Sequence, residues 1–460
     1  MISSVLKVKA AYQLSLISAV IFAFAWPSVL KYTFHQYDLA LLPNIQSAAL
    51  AFLCIIGLSQ LKNKLTQLMF ALWVGWYFIG TINTISSSLI LRDYYSNLDL
   101  NKPGIIYLLG CLFSIFGALL QQALFSPENP NIGTSKSTKF RRPSIIFRTF
   151  LYLFPLAWLV SLRLNVGYIP ILTGESIESE MYETSYGTLY NYSFLLVPAA
   201  LLWFEDQYRK NNFTLAYIGF FFTVLVSLAD GKRAIALTAM LGLFALMLCI
   251  EEKRSFKKIL YGLILLIALY VAVQIARTGG DTTRLQSDSL AYLMKVGVEY
   301  RDFAYTSNYI PPGGMTGYDW LLSSIGAFTN SGVLLLLDMD KAEMVSHGSA
   351  QVWSDFFSSP FGIRTGFISE IWFEYGEPYL IILALFGGFS SWVSNIILSQ
   401  KYIFDRSLLA TIFGLLTLSV VGQSTVLFGV LSILLYLYIA SRIERIVLFS
   451  YRATTHQTNE

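Results

Sequence analysis

The chain has 460 residues, 55% of them hydrophobic and only 13% charged, with a mean hydropathy of +0.57. That balance excludes an ordinary soluble globular domain and a disordered chain. A formal net charge of +4 gives no case for a nucleic-acid partner.

Apolar runs long enough to cross about 30 Å of hydrocarbon recur from end to end. The composition therefore predicts an all-α polytopic integral membrane protein, with one transmembrane helical domain over residues 1–460. About 12 transmembrane helices are expected on this ground. They fall near 11–30, 39–59, 66–91, 105–126, 144–163, 188–204, 213–229, 234–250, 259–276, 378–399, 407–422 and 424–441. Only Asp230–Arg233 separates the seventh and eighth runs, which read as a tight hairpin. Between the ninth and tenth lies a large extracytoplasmic loop, residues 277–377.

Basic residues set the orientation. With the N-terminus inside, 20 Lys and Arg fall on inner segments and six on short outer loops. Both termini are therefore expected in the cytoplasm. Lys7 and Lys9 precede the first run, but Trp26-Pro27 stands where a small-residue cleavage site would be needed, so a cleavable signal peptide is not expected. Cys54, Cys111 and Cys249 all fall in apolar runs, where a packing role is expected.

In chain order, the first four spans read as scaffold, with Trp73, Trp76 and Tyr77 as packing or interface aromatics. Ser126–Arg142 is polar and rich in Pro, Gly, Ser and Thr, as a hinge between two bundles would be. Beyond the fifth span, Arg163 opens a loop holding Glu175, Glu178, Glu180 and Glu183. These are either the solvated face of a surface helix or a sugar-binding lip. Asp230, Lys232 and Arg233 come next, as an ordinary ion-paired turn or as groups lining a cavity, where a guanidinium fork matches a phosphate.

The long loop carries Arg277, Arg284, Arg301, Arg364, Glu370 and Glu374, together with aromatics that include Tyr300 and Trp353. Within it, residues 319–337 are apolar enough to enter the membrane. A full crossing there would invert the C-terminus, so an interfacial or re-entrant element is expected. Asp338-Met339-Asp340 could hold a divalent cation, but a solvated helix end is the plainer reading. His347 is isolated and the chain has three His, so no His-based metal cluster is available. No metal and no cofactor are expected. Gly387 and Gly388 in the tenth span permit close helix packing.

The many-span layout with a large late loop, the Gly231-Lys232-Arg233 turn, the Gly-Tyr-Ile-Pro-Ile-Leu strip at 167–172 and the Gly-Phe-Ile-Ser-Glu-Ile-Trp-Phe-Glu-Tyr-Gly stretch at 366–376 resemble bacterial oligosaccharide repeat-unit polymerases. These are the Wzy-type O-antigen and capsule polymerases. Some members carry an Arg, ten residues, then Gly in two outer loops. Arg163 to Gly174 matches that spacing, whereas Arg364 reaches Gly376 and Arg301 reaches Gly313 one residue late.

The resemblance implies glycosyl transfer on the outer face of the cytoplasmic membrane. A glycan on a polyprenyl diphosphate would pass to a sugar hydroxyl of the next lipid-linked repeat unit. In the chemistry that the resemblance implies, a lipid-diphosphate leaving group calls for Arg clamps and the acceptor hydroxyl for a base. Arg233, Arg277 and Arg364 are the expected clamps, with Arg163 and Arg301 behind them. Glu370 is the first choice of base, then Glu374, then Asp230, and loop aromatics such as Tyr300 and Trp353 would form a sugar platform. The implied partners are the lipid-linked oligosaccharide, membrane lipid, a chain-length regulator and a flippase. Two rival readings stand beside this one: a flippase for the same lipid-linked glycan, and a ligase passing finished glycan to another acceptor.

Overall fold

A computed structural model describes residues 17–18, 21–26, 28–29, 45–90, 99, 101–125, 145–173, 191–229, 234–250, 297–356, 365–400 and 402–457. Among these residues the chain is helical, with no strand. Five helices are long and apolar enough to cross a membrane: Lys64–Ile85, Asn101–Phe125, Phe147–Val166, Tyr379–Ser399 and Ser424–Glu444. The chain is thus a helical protein with membrane-spanning character. Shorter apolar helices, Ile45–Gln60, Phe213–Ser227 and Ala234–Ile250, pack among them. The hinge stretch 126–142, the acidic residues 175–183 and the ninth expected span, 259–276, lie outside the described residues.

Among the described residues, seven helices of more than ten residues precede the long-loop region. They are α1 (Ile45–Gln60), α2 (Lys64–Ile90), α3 (Asn101–Phe125), α4 (Ile145–Val166), α5 (Leu196–Tyr208), α6 (Phe213–Ser227) and α7 (Ala234–Ile250). Cys54 and Cys111 are buried in α1 and α3 with free thiols. Trp73 and Tyr77 are core residues of α2, and the Trp73 indole donates to the Thr417 carbonyl at 3.0 Å.

The expected loop is itself folded. Its described part forms six short helices: α8 (Val298–Tyr309), α9 (Trp320–Phe328), α10 (Ser331–Leu336), α11 (Lys341–Ser346), α12 (Ser349–Phe356) and α13 (Phe367–Tyr375). Three further helices close the chain: α14 (Tyr379–Ser399), α15 (Ile403–Leu418) and α16 (Ser424–Gln457). The short helices make a cap over one end of the bundle, where α2 ends, α3 begins and α15 turns into α16. Tyr300 of α8 packs edge-on against Tyr77 of α2 and Tyr107 of α3, with ring centroids 5.7 and 5.4 Å apart. The backbone N–H of Phe367 donates to the Ser419 carbonyl at 3.1 Å, tying α13 to the α15–α16 turn.

Two glycine contacts set this geometry. Gly117 of α3 and Gly387 of α14 each lie against the other helix's backbone, at Ala384 O and Ser114 O, so a Cβ on either would force the pair apart. The close packing expected at Gly387 is thus present. Gly366 has φ +78°, and a Cβ there would meet the Val420 carbonyl; only glycine lets α13 begin so close to the α15–α16 turn.

The helix ends differ from the expected spans where charge is involved. The run expected at 407–422 is a helix from Ile403 to Leu418, so Asp405 and Arg406 lie inside it. The run expected at 188–204 yields α5, which extends past Glu205 and Asp206. Hydropathy ends a span at its first charges. Here those charges are paired with one another and stay within the helices. Residues 319–337 break at Thr329-Asn330 into helices of nine and six residues. At 1.5 Å per residue they reach only about 14 and 9 Å, too short to cross.

Candidate functional site

Helix α13 lies at the centre of the cap, bounded by Gly366 and Gly376, both at positive φ. Glu370 and Glu374 are four residues apart, which places them on one face of the helix. Glu370 is fully buried. One of its carboxylate oxygens accepts from the Ser349 hydroxyl at the start of α12. The other accepts from the backbone N–H of Ser424 at 2.9 Å and from the Ser424 hydroxyl, at the first residue of α16. Glu374 accepts from the Trp320 N–H at 3.1 Å, at the first residue of α9, whose N-cap Asp319 accepts from Leu322 N at 2.7 Å. Two side chains on one helix face therefore meet the N-termini of three helices, where unpaired N–H groups and the positive end of the helix dipole favour carboxylates.

The two carboxyls differ in access. Burial pushes the Glu370 carboxyl above the ordinary glutamate value, against hydrogen bonds from Ser349 and Ser424 that pull the other way. Burial also raises Glu374, with the Asp319 charge adding to the rise and the Trp320 N–H opposing it. Glu374 is partly exposed and Glu370 is not. Glu374 is therefore within reach of groups outside the cap, whereas both oxygens of Glu370 are engaged inside it.

Around α13 the structure gathers part of the expected site. Trp353 packs edge-on against Phe373 at 4.9 Å and near Tyr318 at 5.8 Å, and Tyr318 donates to the Glu370 carbonyl at 2.9 Å. Phe303 links α8 to α13 through Trp372 at 5.9 Å. Trp353 and Tyr300 are 0% and 1% exposed, so their rings pack the cap and its seam with the bundle and present no face to a sugar. Arg301 pairs with the adjacent Asp302 at 2.7 Å. Arg163 is exposed in the last turn of α4, a helix that packs on α5 and α6. Arg233, Arg277, Arg364 and Asp230 lie outside the described residues. Asp340 caps α11, accepting from Ala342 N at 2.8 Å, and Asp338 ends α10 at φ +60°. Both carboxylates of the Asp-Met-Asp pair thus sit at helix ends, and among the described residues no group of three or more His, Cys, Asp or Glu is placed to hold a metal ion.

A second polar cluster, which the sequence reading missed, sits at the opposite end of the bundle. Glu205 of α5 is fully buried and pairs with Arg406 of α15 at 2.9 Å and Arg209 at 2.8 Å. Asp206 pairs with Lys210 at 2.7 Å and accepts from the Tyr152 hydroxyl at 3.1 Å. Asp405 pairs with Arg442 of α16 at 2.9 Å. Adjacent opposite charges at the edge of apolar runs were the signal for it. The partners of Glu370 had no such signal, because Ser349 and Ser424 are distant in sequence. Comparison with protein-family models, curated proteins and solved structures finds no match.

Proposed function

We propose that this chain is a glycosyltransferase of the bacterial cytoplasmic membrane. In this reading it joins polyprenyl-diphosphate-linked oligosaccharide repeat units into a surface polysaccharide, on the outer face. The observation that carries the reading is the cap itself. A polar, aromatic, folded layer stands at the mouth of a membrane bundle, directly before the last three helices, with paired carboxylates on α13. This is the place where the resemblance to repeat-unit polymerases puts their chemistry. The described basic residues support an outward cap, since Lys62, Lys64, Arg209, Lys210, Arg406 and Arg442 gather at the opposite end.

Of the two carboxylates, Glu374 is the better base. It is reachable, and burial raises its pKa, which strengthens it as an acceptor of the hydroxyl proton. The acceptor oxygen would bond to the anomeric carbon of the donor as the bond from that carbon to the diphosphate breaks. The lipid diphosphate leaves with the electron pair, and Arg233, Arg277 and Arg364 would stabilise its charge. Glu370 acts as a positioning residue by anchoring α13 to α12 and α16.

Gel analysis of surface glycan tests this. Cells lacking the protein should keep a single repeat unit on the final carrier and lose the ladder. Glu374→Gln and Arg364→Ala, each at normal protein level, should do the same. A full ladder in both variants would overturn the site assignment, and a full ladder in the null strain would overturn the function. A second reading, transport of the lipid-linked glycan, is favoured by the buried charge cluster around Glu205 and Arg406, since such groups often line pathways. Loss of both ladder and single unit, with repeat-bearing lipid retained on the inner face, would select it.

A further inference from the structure

Helices α9 and α10 carry the least covered apolar surface of the cap. Leu335 and Leu336 are 78% and 86% exposed, and Leu321, Ile325 and Phe328 continue the surface along α9. These exposures match Ile381 and Leu385 on the candidate span α14, at 67% and 70%.

Contacts with α16 give the attitude of α9. Trp320 at its start stacks edge-on with Phe428 at 5.9 Å, Ser323 and Thr425 both lie next to Gly348, and the Ala327 carbonyl at its end lies beside Gly429. Ser323 lies near Thr425 and Ala327 beside Gly429, a step of four residues on each helix, so α9 runs alongside the first turns of α16. Phe428 and Gly429 are four and five residues past Ser424, where that candidate span opens. At 1.5 Å per residue this puts the end of α9 about 6–8 Å along α16 from its first residue, a depth that interfacial segments reach.

The backbone of the pair is closed off as lipid requires. Between the two helices the Lys341 ammonium donates to the carbonyls of Thr329 at 2.7 Å and Ala327 at 3.4 Å. The Asn330 side chain accepts from Gly332 N at 2.8 Å, and Met339 N returns to the Leu334 carbonyl at 2.9 Å.

We propose that α9 and α10 form a membrane anchor that dips beside the start of α16, with Ile325, Leu335 and Leu336 among lipid acyl chains and Lys341 sealing the break. The proposal rests on the membrane placement of the bundle, and it deepens the functional reading. Glu374 and Asp319 hold the start of α9, so an immersed α9 keeps Glu374 at the level of lipid headgroups, where a diphosphate-linked sugar is presented.

Spin labels on the full chain in proteoliposomes test it, with the three native cysteines replaced. Leu336→Cys and Ile325→Cys would be compared with Leu385→Cys as a lipid reference and Thr316→Cys as a water reference. Leu335→Cys serves if Leu336→Cys does not accumulate. The expected result is a several-fold higher ratio of oxygen to Ni-EDDA accessibility at 325 and 336 than at 316, close to that at 385. A ratio like that at 316 overturns the proposal. So does low access to both reagents with spin–spin broadening, which would mean that a second copy covers the face. Neither depends on glycan synthesis, so failure here is distinct from failure of the proposed reaction.

Discussion

At the scale of single residues, Glu370 is the least replaceable side chain of the cap. Leaving its buried donors unpaired costs roughly 1–3 kcal/mol each, so Glu370→Ala should destabilise the protein by about 3 kcal/mol or more on the same basis. Glu370→Gln keeps the shape and can still accept from Ser424 N while donating to the Ser349 oxygen, so it should fold. The two forms should differ in their response to pH. Burial raises the Glu370 pKa in the folded chain, so folding favours the protonated form. Its contribution is full below the ordinary glutamate value of 4.5 and is lost as pH rises through the raised value. Thermal unfolding in detergent from acid to neutral pH should show a decline in the parent that is smaller in Glu370→Gln. Parallel curves would mean that the carboxyl ionises in the fold at no cost.

At the scale of elements, α5, α15 and α16 are joined by the cluster around Glu205. Arg406 is 5% and Glu205 0% exposed, so removing one partner leaves a charge stranded in the bundle. Arg406→Met should cost about 3 kcal/mol, at the low end for a broken buried pair because Arg209 still holds Glu205. Adding Glu205→Gln to Arg406→Met should recover most of that loss, since Arg209 is part-exposed and can turn to water. Unfolding midpoints of the single and double variants check this. A double variant no more stable than the single would mean that the pair is needed for more than mutual neutralisation. The cluster also explains why hydropathy misplaced the ends of two helices. Charges ended the apolar runs in the sequence, but pairing across distant positions, which no window of residues contains, let the helices continue.

At the scale of the molecule, the long apolar helices were legible because lipid demands length and hydropathy from each segment alone; α2, α3 and α14 fall within a few residues of where the apolar runs place them. The cap was legible as a polar, aromatic stretch but not as a fold. Its six short helices are fixed by contacts such as Glu370 with Ser424 and Tyr300 with Tyr77, which local periodicity does not encode. The aromatic load that pointed to sugar stacking is, at Tyr300 and Trp353, spent on holding the cap together. The side of the membrane on which the cap stands is a property of the whole chain, and basic residues at the far end argue for the outer side. Thr316 lies exposed in the cap between α8 and α9. In intact cells with the outer barrier permeabilised, Thr316→Cys in a background without the native cysteines should react with a membrane-impermeant maleimide. A cysteine at Asn211, in the turn between α5 and α6 at the opposite end, should react only after lysis. The reverse pattern would put the cap in the cytoplasm, where an outer-face polymerase could not use it, and would leave the buried charges around Glu205 on the outer side.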